Sequence, residues 1–204
     1  MAQLVAHLGR VWGWAARVVD TGSRADHPEP EGVAEDELVG WAGGQARALI
    51  GVLEVADPDS SCWTFGEPRN RLFWSRRQAL ETAVHAWDAQ LAVNDPEPLG
   101  SDLSVNGIDE FLDVMLPRSM GRHPGTWTGQ SLHLHCTDGD GEWMVRLGPD
   151  STVTAERAHG KADVALHGPA PTLYLWCLNR ASSSDLTVFG DSSVVDRWRS
   201  EISF

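Results

Sequence analysis

The run "FWSRRQALETAVHAWDAQ", residues 73–90, carries an apolar series and a polar series at the same helical spacing. Phe73, Leu80, Val84, Trp87 and Leu91 fall on one stripe, which predicts a helix over residues 69–92 with that stripe turned inward. Glu81, His85 and Asp88 recur four and three residues apart. In a helix, residues four apart stack on one face, so Glu81 and His85 can converge on a single metal ion. The same spacing is that of an exposed helix pair contributing about 0.2–0.5 kcal/mol, and spacing alone does not separate the two readings. Helical angles put Arg77, Glu81 and Asp88 at the border of the apolar stripe, with His85 a little further round. These groups therefore lie beside the core rather than opposite it.

Working upstream, "AQLVAHLGRVWGWAARVV" places Leu4, His7, Val11, Trp14 and Val18 on one stripe of another helix. His7 takes an interior position there, either as a core histidine satisfied by one hydrogen bond or as a third ligand if this helix packs on the Glu81 helix. Two imidazoles and one carboxylate would leave a coordination position open, as catalytic zinc sites do. Between these segments, "EDELVGWAGGQARALIGVLEVA" predicts a helix with acidic residues in its first turn. Downstream, "NGIDEFLDVML" predicts a shorter helix closed off by Pro117.

From about residue 126 the period changes from 3.6 to 2. "SLHLHCT" and "EWMVRL" read as strands joined by the hairpin "DGDG", which lacks the later ligands of a calcium loop. "STVTAER", "ADVALHG" and "DLTVFGD" read as further strands, "APTLYLWCLNR" as a helix, and "SSVVDRWRSEI" as a serine-capped terminal helix. The expectation is an α+β chain of two domains: helices over residues 1–120, then helices on a small antiparallel sheet over residues 126–204. His133 and His135 fall on the outward face of a strand and read as solvated, a second metal site there being the rarer outcome. His27 and His123 adjoin prolines in loops, and His159 and His167 lie near turns.

The 204 residues have a formal net charge of -13, which disfavours nucleic acid and anionic membrane surfaces as partners. No run of about 20 apolar residues and no leader pattern is present, so the expected compartment is the cytoplasm. Cys62, Cys136 and Cys177 are far apart and odd in number, as reduced buried thiols would be. A monomer or weak homo-oligomer is expected. Fifteen arginines beside the single Lys161 suggest a G+C-rich genome.

Several separated segments, "AQLVAHLGRVWGWAA", "CWTFG", "FWSRRQALETAVHAWDA", "NGIDEFL", "LHLHCTDGDGEWMVRL" and "VFGDSSVVDRW", together resemble the mycothiol-dependent maleylpyruvate isomerase family, part of the DinB-like metal-binding superfamily. The most specific piece is the R-R-x-x-x-E-x-x-x-H-x-x-D-A run at residues 76–89, supported by the histidine of "VAHL". The resemblance implies an N-terminal DinB-like helical bundle that holds a divalent metal, usually zinc, through His7, Glu81 and His85. It implies a sterol-carrier-like C-terminal domain. It also implies mycothiol as a thiol cofactor, activated at the metal to add to the cis double bond of maleylpyruvate, and an actinobacterial source. The partners are then a low-molecular-weight thiol and a small electrophile. Arg180 is the candidate for a substrate carboxylate, its alternative being an arginine that caps a helix C-terminus; Asp88 is placed as support for the ligands. Relatives carry a further helix before the "VAHL" helix and often a histidine where this chain has Leu80, which implies a misassigned or truncated start and altered substrate contacts. A mycothiol S-transferase, or a noncatalytic metal- and ligand-binding protein, would fit the same residues.

Overall fold

The computed structural model describes residues 1–122 and 127–202. His123, read above as a loop residue, lies outside the described residues. The chain divides into two compact units, Met1–Pro98 and Leu99–Phe204.

In the first unit, α1 (Ala2–Thr21) packs along α2 (Leu38–Val55) and against α3 (Arg71–Leu91). The close approach of α1 and α2 depends on Gly9, since a Cβ there would overlap the Trp41 ring. Helix α3 starts where the Asn70 side chain accepts from the Phe73 N–H at 3.2 Å, satisfying one of the amides that a helix start leaves free. Its predicted stripe is buried at Phe73, Leu80 and Val84, while Leu91 in the last turn is exposed. Trp74 is fully buried among Trp14, Trp63, Phe65 and Phe73, and its indole N–H donates to the Trp63 carbonyl at 2.8 Å. This aromatic cluster anchors the start of α3 on α1. His7 departs from the expectation: its side chain is 47% exposed. Burial on α1 begins at Gly9 and deepens through Ala15, Ala16, Val18 and Val19, so the first turns stay accessible.

The second unit opens with α4 (Ser101–Glu110), counted above with the helical domain. It packs instead on α6 (Ala170–Cys177), with the Tyr174 ring seated where Gly107 has no Cβ. Asp109 accepts from the Trp143 indole at 2.8 Å. By contacts the chain divides at Pro98–Leu99, ahead of the break between residues 120 and 126 expected from the sequence. Nor does Pro117 close the helix. A five-residue π-helical stretch, Phe111–Met115, precedes it and α5 (Leu116–Arg122) carries on; re-registering the bonding in a wide turn accommodates a residue that has no N–H to donate.

Strands β1 (Gln130–Cys136), β2 (Glu142–Leu147), β3 (Val153–Glu156), β4 (Val164–Gly168) and β5 (Thr187–Gly190) form one sheet in the order β3-β2-β1-β4-β5. The expectation of an all-antiparallel sheet is corrected by one pair: β4 runs parallel to β1, with Leu134 opposite Leu166. The sheet grows outward on both sides of the β1–β2 hairpin, with β3 next to β2 and β4 next to β1, so the β3–β4 connection must cross the hairpin. It crosses the face that carries His133 and His135, bringing His159 to Glu142 at 2.6 Å and Gly160 against Met144. His133 is consequently buried, at 4% exposure, and not solvated as the alternation alone suggested. The opposite face supplies the core: Leu132, Leu134, Val145, Leu147, Val164 and Leu166 are fully buried. Helix α7 (Ser192–Glu201) is capped by Asp191 rather than by serine; the Asp191 carboxylate accepts from the Ser193 N–H at 2.9 Å.

Candidate metal centre

Packing of α1 on α3 brings His7 and the Glu81–His85 pair together. His7 Nε2 lies 3.1 Å from Glu81 Oε1 and His85 Nε2 lies 3.2 Å from the same oxygen. The two imidazoles meet edge to face, with ring centres 4.9 Å apart. Beside them, the Trp12 indole, five residues beyond His7 on α1, donates to Oγ1 of Thr82, the residue after Glu81, at 2.9 Å, which fixes the register of α1 on α3. Arg77 pairs with the other oxygen of Glu81 from the preceding turn.

Asp88 acts through His85. The His85 Nδ1–H donates to Asp88 Oδ2 at 2.7 Å, which holds the ring and turns Nε2 toward Glu81. Metal-binding histidines are oriented in this way by a carboxylate on the second ring nitrogen. Burial would raise the Glu81 carboxyl, but hydrogen bonds from His7 and His85 and the nearby Arg77 guanidinium outweigh it and hold the group well below the ordinary carboxylate range. His85 is shifted up, first by its hydrogen bond to Glu81, against burial, with Asp88 adding in the same direction. The imidazoles therefore meet at an ionised carboxylate. One ligand atom each from His7, Glu81 and His85 lies within 4.8 Å of the others, a separation and donor set that fit a divalent transition ion.

Arg180 lies in the second unit, just past α6. Its backbone N–H donates to the Leu175 carbonyl at 2.7 Å and its guanidinium to the Leu178 carbonyl at 3.3 Å, the arrangement of an arginine at a helix C-terminus. The three cysteines are free and buried. Burial raises the Cys62 thiol, pushes Cys136 up to about 11 and lifts Cys177 further, so none is poised as a thiolate.

Residues 1–90 match the model of the mycothiol maleylpyruvate isomerase N-terminal domain, and residues 102–197 match that of the MDMPI C-terminal domain. The chain belongs to the mycothiol-dependent maleylpyruvate isomerase family. In keeping with this, its fold is similar to the crystal structure of a histidine-to-alanine mutant of the mycothiol-dependent maleylpyruvate isomerase, at 14% identity and a TM-score of 0.54 over 92% of this chain and 75% of that one. A sec-alkylsulfatase from Pseudomonas overlaps at 14% identity and a TM-score of 0.37, over 98% of this chain and 32% of that one. No curated protein sequence matches. Family membership and the shared α+β two-domain fold make this a mycothiol-dependent maleylpyruvate isomerase-like protein. Among the described residues no helix is long and apolar enough to cross a membrane.

Proposed function

We propose that the chain is a metal-dependent enzyme that activates mycothiol for addition to a small electrophile, as in maleylpyruvate isomerisation. The observation that carries this reading is the convergence of His7 and His85 Nε2 on one oxygen of Glu81 from two separate helices. In this reading His7, Glu81 and His85 hold a divalent ion, zinc by preference for two imidazoles and a carboxylate. Such an ion supplies the Lewis acidity that keeps a coordinating thiol as thiolate near neutral pH.

The chain's own residues prepare that position. Asp88 keeps the Nδ1 proton of His85 and so commits Nε2 to the ion. Arg77 takes the second oxygen of Glu81, leaving Oε1 for the ion, and the Trp12–Thr82 bond keeps His7 in reach from α1. Arg180 is the proposed partner of a substrate carboxylate, which arginine binds through two parallel hydrogen bonds. A cytoplasmic setting suits buried free thiols.

The test is metal analysis of protein purified without chelator, followed by thermal-shift titration with mycothiol. A ligand that binds only the native state stabilises it, by about 2.7 kcal/mol at a hundred times its Kd. The expected result is a rise in Tm with mycothiol that disappears when the metal is removed or His85 is changed to Ala. No rise in the metal-loaded protein overturns the reading. Turnover of other electrophiles but not of maleylpyruvate would place the chain among thiol transferases.

A further inference from the structure

We propose that the second unit carries a metal site of its own: a divalent transition-metal ion, zinc in the first instance, held by His133, His135, Glu142 and His159. Three imidazoles point at one carboxylate oxygen. Glu142 Oε1 lies 2.8 Å from His133 Nε2, 2.9 Å from His135 Nδ1 and 2.6 Å from His159 Nδ1. Ligand atoms of His133, His135 and Glu142 all lie within 4.8 Å of one another.

The sheet register builds this cluster. His135 stands opposite Glu142 across the β1–β2 pair and opposite His167 across the β1–β4 pair, so the three form one row. His133, two residues along β1, shares their face. The β3–β4 connection then lays His159 over the row, its ring centre 5.3 Å from that of His133.

A carboxylate oxygen has about two lone pairs for hydrogen bonds, so three imidazoles on one oxygen exceed what a hydrogen-bonded network uses, whereas a transition ion needs several neutral nitrogens and a carboxylate around one point. Zinc bonds of about 2.0–2.2 Å give tetrahedral ligand separations of about 3.3–3.6 Å. The observed 2.6–2.9 Å nitrogen–oxygen distances are shorter than that span, so each imidazole has to draw back from the Glu142 oxygen by about 0.4–1 Å to admit an ion between them. Small rotations would suffice for His133, His135 and Glu142, and the exposed His159 side chain, whose ligand atom is not within 4.8 Å of all three, turns further to complete the set. Access is open: His159 is 80% exposed, and a surface depression of about 360 Å³ lined by His135, Glu142 and Arg157 reaches the cluster. Four protein ligands make a closed site, which points to a structural role in tying the β3–β4 connection to β1 and β2.

This proposal does not rest on the reading of the α1–α3 centre, and the test keeps the two apart. Chelator-stripped full-length chain is titrated with zinc against a competing chelator, as wild type, His85→Ala, His159→Ala and His85→Ala/His135→Ala. The His85→Ala protein is expected to bind one equivalent, to gain Tm with zinc, and to lose both properties when His135→Ala is added. His159→Ala, an exposed change that should leave the metal-free Tm unaltered, is expected to weaken that equivalent at least tenfold. Cobalt should shift and broaden the NMR resonances of His133, His135 and His159 in the wild-type chain. Should the α1–α3 centre bind nothing, wild type and His85→Ala would each take up one equivalent and the proposal would stand. It is overturned if His85→Ala binds no zinc, if His159→Ala leaves its affinity unchanged, or if cobalt leaves those three histidines unperturbed.

Discussion

Changing Asp88 to Asn isolates one contribution to the α1–α3 centre. Asp88 Oδ2 sits 2.7 Å from His85 Nδ1, and the two side chains are only 24% and 16% exposed, so water competes weakly for this bond. Asparagine can keep the geometry by accepting through its amide oxygen, and what is lost is the charge. A hydrogen bond to a charged group contributes about 1.5–3 kcal/mol, against about 0.5–1.5 kcal/mol for a neutral one. The difference, about 1–1.5 kcal/mol, corresponds to roughly a tenfold loss of zinc affinity, at the lower end of the range for groups that orient a metal-bound histidine. The assay is zinc titration against a chromophoric chelator in a His135→Ala background, so that the α1–α3 centre alone is read. A Kd within twofold of the parent would refute the assignment of Asp88 as the residue that orients His85.

Three further outcomes are expected. Gly107→Ala places a methyl group in the Tyr174 ring where α4 meets α6, and overpacking of this kind costs about 1–3 kcal/mol in chemical denaturation; an unchanged midpoint would show that the ring moves freely. Asp163 accepts from the Ser131 backbone N–H at 2.7 Å and hydroxyl at 2.8 Å, and these bonds hold its carboxyl below the ordinary value. Because the folded-state pKa is the lower one, the stability gap between wild type and Asp163→Asn should be full above about pH 4 and close as the pH falls through the folded-state value. A pH series of urea melts reads this, and a gap that widens in acid would reverse the sign. Arg180→Met is expected to raise KM for a dicarboxylate substrate while leaving zinc stoichiometry intact; an unchanged KM returns Arg180 to its capping role alone.

Local periodicity carried much of this structure. The 3.6 period of residues 73–90 placed α3, with Phe73, Leu80 and Val84 inward and Glu81 and His85 beside the core, and the i,i+3 spacing brought Asp88 to His85. The alternation of Leu132, Leu134 and Cys136 placed the buried face of β1. What escaped depends on partners far along the chain. Nothing local in "ADVALHG" says that β4 pairs parallel with β1, and without that topology the loop crossing over His133 is invisible. Glu142 was missed for the same reason: a glutamate opening a strand reads as solvated until the register sets it against His135. The stripe on α1 gives the direction of His7 but not the extent of cover over it, which is why its side chain is 47% exposed where the spacing predicts an interior position. The π-helical turn that lets the helix run through Pro117 leaves no mark in the hydrophobic period, so the sequence alone predicts a stop there.

The central claim is that His7, Glu81 and His85 hold an ion at which mycothiol binds through sulfur. Its most direct test is the absorption spectrum of the cobalt-substituted chain during mycothiol titration, in wild type and in His85→Ala. The account predicts a saturable sulfur-to-cobalt charge-transfer band in wild type that is missing from His85→Ala. No band in the cobalt-loaded wild type, or an equal band in His85→Ala, would contradict it.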